Sequence, residues 1–296
     1  MTNNLTYKYS LRRNIYDRTF TFLSIIFTFL AVLPLVLVLL YVIIKGGSQI
    51  NWQILLLEPQ PPGDDLASAG GIGNAIIGTF IISTIASLIS IPVGIGGGIF
   101  LAEYSKDGNY SNFIRFGTNV LAGVPSIIAG VFIYAIVVVT KIFWGSNFSG
   151  LAGGMALSIL MLPSIIKTTE ESLKLVPDDL RKASLALGAN MSTTIIRITL
   201  PSAIKSIMTG VILGIARIAG ETAPLIFTAL FSYYHITNLG DILYEMSSLS
   251  VLIYNFALEP YAAQNDLAWA ASFILLVLLL GINIISKIIS NLATDK

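Results

Sequence analysis

Residues 19–44 read TFTFLSIIFTFLAVLPLVLVLLYVII, with no charged residue between Arg18 and Lys45. Crossing a hydrocarbon layer about 30 Å thick takes roughly 20 apolar helical residues, and in lipid only a helix or a closed barrel satisfies every backbone N–H and C=O. The stretch therefore predicts a retained transmembrane helix. It is too long for a removable signal peptide and has no small-residue cleavage site. Outward from it, the same rule marks apolar blocks at about 73–101, 116–139, 206–230 and 267–286, and a shorter one at 151–166 that ends at Lys167. The reading is an all-α polytopic membrane protein with six transmembrane helices in a single domain, residues 1–296. Composition agrees, because 55% of the residues are hydrophobic and 11% charged, against about a quarter charged in soluble domains. A net charge of +1 supplies no basic field for nucleic acid. The absence of cysteine excludes disulfides and thiolate sites, and His235 alone cannot build a multi-histidine metal centre.

Loop charge sets the orientation, since cytoplasmic loops near spans carry an excess of Lys and Arg. One set of loops and tails holds Lys8, Arg12, Arg13, Arg18, Lys106, Arg115, Lys167, Lys174, Arg181, Lys182, Arg197, Lys205, Lys287 and Lys296. The alternate loops hold Lys45 and Lys141. Both termini are therefore expected in the cytoplasm, with the chain a multi-pass membrane protein. Trp52, Trp144 and Trp269 fall near span ends on the other face, where indole rings favour the interface. On that side Pro59, Pro61, Pro62 and Gly63 form a rigid turn cluster. Residues 246–258 are apolar but too short to cross, which predicts a re-entrant or interfacial helix.

The loop at about 167–205 contains a short helix with legible ends. Pro177 opens it, Asp178 and Asp179 occupy its first turn, and Gly188 follows Leu187. Leu180, Ala183, Ser184 and Leu187 recur at steps of three and four, a narrow stripe able to pack into a groove while Arg181 and Lys182 stay solvated. An amphipathic linker lying on the membrane would show the same periodicity. The spacing of Lys182, Ala183 and Ser184 to Gly188, then to Ile198, Leu200 and Pro201, resembles the EAA loop of bacterial ABC importer permeases. Lys182 stands where that motif has Glu and Ser184 where it has its second Ala. The resemblance implies that a coupling helix carrying Leu180, Lys182, Ala183, Ser184, Leu187 and Gly188 docks on a separate nucleotide-binding subunit. This chain has no Walker A motif, so ATP and Mg would bind the partner, and the chain itself would be no enzyme and carry no cofactor.

Arg217 and Glu221 lie within the fifth apolar block, where one charge at mid-bilayer costs about 2.5–3.5 kcal/mol on insertion scales. Their spacing lets them pair on one helix face. Two readings stay open: a structural ion pair, or a substrate path in which a planar guanidinium meets a tetrahedral oxyanion and Glu221 holds or replaces that anion. Pro224 removes a helical hydrogen bond nearby. In the third block, Gly123, Pro125, Ser126 and Gly130 would allow a helix break or close packing, with the Ser126 hydroxyl either back-bonded or free to donate to an anion. Gly94, Gly96, Gly97 and Gly98 have no preceding strand or phosphate-binding lysine and read as helix packing.

The run Arg217-Ile-Ala-Gly-Glu221-Thr-Ala-Pro224-Leu-Ile-Phe-Thr-Ala resembles the fifth-helix signature of phosphate-specific ABC importer permeases, and its Ala223-Pro224-Leu225 continuation is that of one of their two permease types. Gly71-Ile-Gly73-Asn74-Ala-Ile-Ile-Gly78-Thr79 and Gly123-Val-Pro125-Ser126-Ile-Ile-Ala-Gly130 are similar to further blocks of the family. The resemblance implies a type I ABC importer permease (MetI-like) fold and phosphate uptake by alternating access. It places Arg217, Glu221, Thr222 and Ser126 on the substrate path. It also implies a second permease, an ATPase dimer and an extracytoplasmic phosphate-binding protein as partners. The alternatives are an importer of another oxyanion and an intramembrane enzyme, the latter lacking both a carboxylate dyad and a helical metal pair in the spans.

Overall fold

A computed structural model describes residues 11–61, 69–105, 108–141 and 148–292. Lys8, Pro62, Gly63, Lys106, Trp144 and Lys296 lie outside the described residues. The helices are α1 (Leu11–Gly47), α2 (Trp52–Leu56), α3 (Gly73–Ile99), α4 (Asn109–Gly123), α5 (Ser126–Ile133), α6 (Gly150–Lys174), α7 (Asp178–Ala186), α8 (Met191–Thr194), α9 (Leu200–Ala219), α10 (Ala223–Thr228), α11 (Leu249–Ala257) and α12 (Ala262–Leu292). Wider π-helical turns extend α3 over Phe100–Tyr104 and α5 over Tyr134–Val138, and a third, Ile195–Thr199, leads into α9. The described residues contain no strand, only an isolated antiparallel bridge between Pro59 and Gly70.

Among the described residues, five helical stretches are long and apolar enough to cross a membrane, and a bent pair makes up to six. Over the span expected at 116–139 the helix is sharply bent, at the Gly123 and Pro125 positions where the sequence allows a break. α4 and the α5 stretch meet at 103°, because Pro125 has no N–H to donate and its ring pushes Val124 out of the helical region, to φ −70° and ψ 129°. The fourth span runs on past 166 to Lys174, and the fifth begins earlier than 206 and is interrupted after Ala219. Charge did not stop α6, since Glu170 is neutralised within it by Lys174 at 2.6 Å and across to Arg115 of α4 at 2.9 Å.

α6 is the centre of the bundle. Ile165, Met161 and Leu157 are buried against Ile82 of α3 and Ile207 of α9. In lipid such contacts hold through dispersion and close backbone approach more than through expulsion of water. The approach is closest where α3 has glycine: a Cβ on Gly94 would sit 2.6 Å from Ile165, and one on Gly98 2.4 Å from Thr169. These two members of the glycine string are packing residues.

At the opposite end from α7, α11 sinks into the protein. Leu249, Leu252 and Phe256 are buried against Ile72 and Ala75 of α3 and Leu267 and Ala271 of α12. Its first turn is capped by Ser248, which accepts from Val251 N–H, and by Thr79 of α3, whose hydroxyl accepts from Leu249 N–H at 2.9 Å. This is the short helix expected over 246–258, packed inside the protein. α1 stands apart, exposed over residues 15–32, with its far end seated on α12, where Tyr41 meets Trp269 edge to face at 4.9 Å.

Candidate functional site

α7 forms as its sequence dictates. Pro177 caps it, Asp178 and Asp179 occupy the first turn, and the last turn closes with Gly188 N–H donating to Leu185 C=O at 3.0 Å and Ala189 N–H to Ser184 C=O at 3.2 Å. This cap needs a left-handed residue, and Gly188 supplies it at φ +84°.

The faces of α7 are not those expected. Arg181, expected to stay solvated, points inward. Its Nη2 lies 2.7 Å from Glu103 Oε1 and its Nε 3.1 Å from Oε2, while Nη1 donates to Val176 C=O and Nη2 to Leu173 C=O, each at 2.7 Å. The Glu103 side chain is 1% exposed. Its hydrogen bonds raise the guanidinium pKa above the ordinary arginine value, against the effect of burial. Ser184 is also buried, its Oγ 2.9 Å from Thr194 Oγ1. Leu180, Lys182, Ala183, Leu187 and Gly188 lie on the exposed surface, Leu187 at 90%. The expected stripe is therefore split, because a bidentate ion pair holds the Arg181 and Ser184 side against the bundle and leaves the leucines outside. Lys182 pairs with Asp179 at 3.8 Å on the surface.

The second cluster sits where the fifth span breaks. α9 ends at Ala219, Gly220, Glu221 and Thr222 are non-helical, and Pro224 takes the first turn of α10, where its missing N–H costs nothing. Arg217 is thus in the last turn of α9, not mid-helix, and the negative end of the helix dipole favours its charge there. Its Nε is 3.9 Å from Glu221 Oε1, too long for a hydrogen bond, and the side chains are 62% and 19% exposed. α11 supports the break, since Ser250 Oγ donates to the Glu221 carbonyl at 2.8 Å. α5 presses on it from another side at Gly130. Ser126 starts α5 one turn before Gly130 and is half-buried, and Thr222 caps α10 without a side-chain hydrogen bond to it. The structure thus pairs Arg217 loosely with Glu221, sets Thr222 beside them and places Ser126 on the adjoining helix.

A cleft of about 350 Å³ lies elsewhere, between α3, α9 and α12, lined by Thr79, Ser83, Ser87, Ile215 and Leu278. Thr79 and Ser87 donate to backbone carbonyls one turn back, so those hydroxyl protons are already taken. Arg217 does not line it. The guanidinium is presented on the outside of this chain.

Sequence reasoning missed the Glu103–Arg181 and Arg115–Glu170 pairs. The signal for the first was a lone carboxylate, Glu103, at the end of an apolar block; Glu170, beside Glu171 and one turn from Lys174, gave no sign of a partner on another helix.

Residues 94–294 match the family described as binding-protein-dependent transport system inner membrane component. The chain is 41% identical over 235 residues to phosphate transport system permease protein PstA of Yersinia pestis, covering 79% of this chain and 77% of that protein. It is 37% identical over 276 residues to PstA of Pasteurella multocida, covering 93% and 95%. It is also 37% identical over 293 residues to PstA 1 of Mycobacterium tuberculosis (strain CDC 1551 / Oshkosh), covering 97% and 92%. Among solved structures, it resembles an inward-facing MetNI methionine ABC transporter chain with TM-score 0.57 at 18% identity, covering 75% of this chain and 93% of that one. A bacterial ABC transporter importing the acidic polysaccharide alginate gives 0.59 at 18% identity, covering 95% and 98%. These two likenesses show the fold, that of an ABC importer permease. The chain belongs to the binding-protein-dependent transport system inner membrane components and, within them, to the PstA permeases.

Proposed function

We propose that this chain is the permease subunit of an ATP-driven importer that moves inorganic phosphate into the cytoplasm by alternating access. The observation that carries this reading is Arg217, a guanidinium at a helix break inside an apolar span, 3.9 Å from Glu221 and 62% exposed on the single chain. A sealed structural pair would be tighter and buried. An open one leaves N–H donors for a tetrahedral oxyanion, and Glu221 keeps the guanidinium oriented when the anion has gone. Looseness also suits transport, because a site that held phosphate in every state would not release it.

In this reading the exposed face of Arg217 turns toward a cavity shared with a second permease. α7 lies on the cytoplasmic side, both termini are cytoplasmic, and Leu180, Lys182, Ala183, Leu187 and Gly188 meet one of two ATPase subunits, which bind ATP and Mg. Ser184 acts from behind that face. A phosphate-binding protein delivers the anion on the other side. Purified complex in vesicles tests the whole reading. Phosphate-loaded binding protein should stimulate hydrolysis and uptake, with sulfate giving neither, and Arg217→Gln should abolish uptake while the complex still assembles. Near-normal uptake by that variant would refute the path role.

A further inference from the structure

Two pairs hold the inner face of α7, and each engages the end of a different span. Arg181 grips Glu103, which sits in the π-helical turn Phe100–Tyr104 ending the α3 span. The same guanidinium donates to Leu173 C=O in the last turn of α6 and to Val176 C=O just beyond it. One turn further along, Ser184 meets Thr194, the last residue before the π-helical turn Ile195–Thr199 that opens α9. The chain itself joins α7 to α6 before it and, through residues 187–190 and α8, to α9 after it, whereas its link to α3 is made by side chains and Ser184–Thr194 adds a side-chain brace to the link with α9.

The chemistry of the α3 link is unusual for a packing contact. A buried ion pair is often no more stabilising than an apolar pair of similar volume, yet removing one partner strands a charge at high cost. A two-point fork also resists the sliding and rotation that an apolar contact permits. Glu103 is 1% exposed, and its hydrogen-bond partner is Arg181. Any displacement of α7 that left Glu103 behind would bury a bare carboxylate, so the two move together.

We propose that Arg181 and Glu103 are the positioning residues that carry displacement of α7 into α3, with Ser184 and Thr194 bracing the connection to α9. The proposal rests on α7 being the docking helix for the ATPase. It also gives a reason for Ser184 where the EAA pattern has alanine: the hydroxyl makes the second tether.

The test is phosphate transported per ATP hydrolysed, measured in vesicles containing the full complex with its binding protein. This chain has no cysteine, so with partner subunits made cysteine-free, a Glu103→Cys, Arg181→Cys pair can be bridged by a bis-maleimide. Glu103→Gln should assemble and keep phosphate-stimulated hydrolysis while the ratio falls about tenfold. Arg181→Lys should fall less, because it keeps the charge and loses the fork. The cysteine pair should be uncoupled until bridged and then recover. A wild-type ratio in Glu103→Gln overturns the proposal. So does a bridged pair that stays uncoupled, whether or not the single variants assemble, since the link would then serve stability alone. Absence of phosphate-stimulated hydrolysis in the wild-type complex would instead overturn the functional reading beneath it, and the link with it.

Discussion

Gly130 of α5 lies directly against Pro224 of α10: a Cβ built on Gly130 would stand 2.5 Å from the Pro224 Cα and 2.9 Å from its carbonyl oxygen. Both partners are backbone, so neither can rotate away. The broken third span and the broken fifth span therefore meet where each has given up its regular helix, one turn from Ser126 and three residues from Glu221.

Gly130→Ala should force α5 and α10 apart, at the cost of about 1–3 kcal/mol that overpacking typically carries. A lowered thermal midpoint of the purified complex together with reduced uptake is expected. An unchanged midpoint with full uptake would mean that the two helices separate freely.

Arg217→Lys should retain a small fraction of uptake where Arg217→Gln retains none, because an ammonium keeps the charge but not the two-point geometry. Glu221→Gln should be milder than either, raising the phosphate concentration needed for half-maximal uptake. Equal activities for the lysine and glutamine variants would remove charge from the explanation.

Lys182→Glu should leave uptake and ATPase association within about twofold of wild type, because Lys182 is 76% exposed and its ion pair with Asp179, at 3.8 Å on the surface, contributes at most about 1 kcal/mol. Leu187→Asp, which puts a charge on the most exposed leucine of that face, should break association. Pull-down of the ATPase subunit with each variant decides between helix shape and residue charge as the docking determinant.

Asp241 organises the loop before α11. Its carboxylate accepts from Asn238 N–H at 2.9 Å and from Thr237 N–H and hydroxyl at 2.7 and 3.0 Å, and these bonds hold its pKa below the ordinary aspartate value. A folded pKa below the unfolded one stabilises the loop above the unfolded pKa of about 3.9, and the effect is lost as pH falls through the folded value. Hydrogen exchange at residues 237–238, corrected for intrinsic rate, should therefore show protection that fades below about pH 4. Asp241→Asn should show weaker protection with no such step.

The parts of this architecture that are local in sequence were legible in it. The apolar blocks, both ends of α7 and the short α11 follow from helical period, caps and length. The break at Val124–Pro125 also had its cause in plain view, but hydrophobicity alone joins 116 to 139, because it counts apolar residues and not backbone N–H groups. What stayed hidden was pairing over distance. Glu103 and Arg181 are 78 positions apart, and on α7 alone an arginine beside a lysine reads as solvated. Of the residues proposed for the substrate path, Arg217 and Glu221 were found because charge in hydrocarbon needs a reason and Thr222 through the family resemblance, whereas the open geometry of the first two depends on where α9 stops.

The wider turns at the end of the α3 span and before α9 leave each rod with a reserve of length. A π turn contains one residue more than the α turn it replaces, so tightening it would extend the rod by about 1.5 Å without interrupting it. Glu103 sits inside one such turn and Thr194 directly precedes another. A pull arriving through either residue would thus be met first by an elastic coil, and the rods behind it would tilt only once that slack had been taken up.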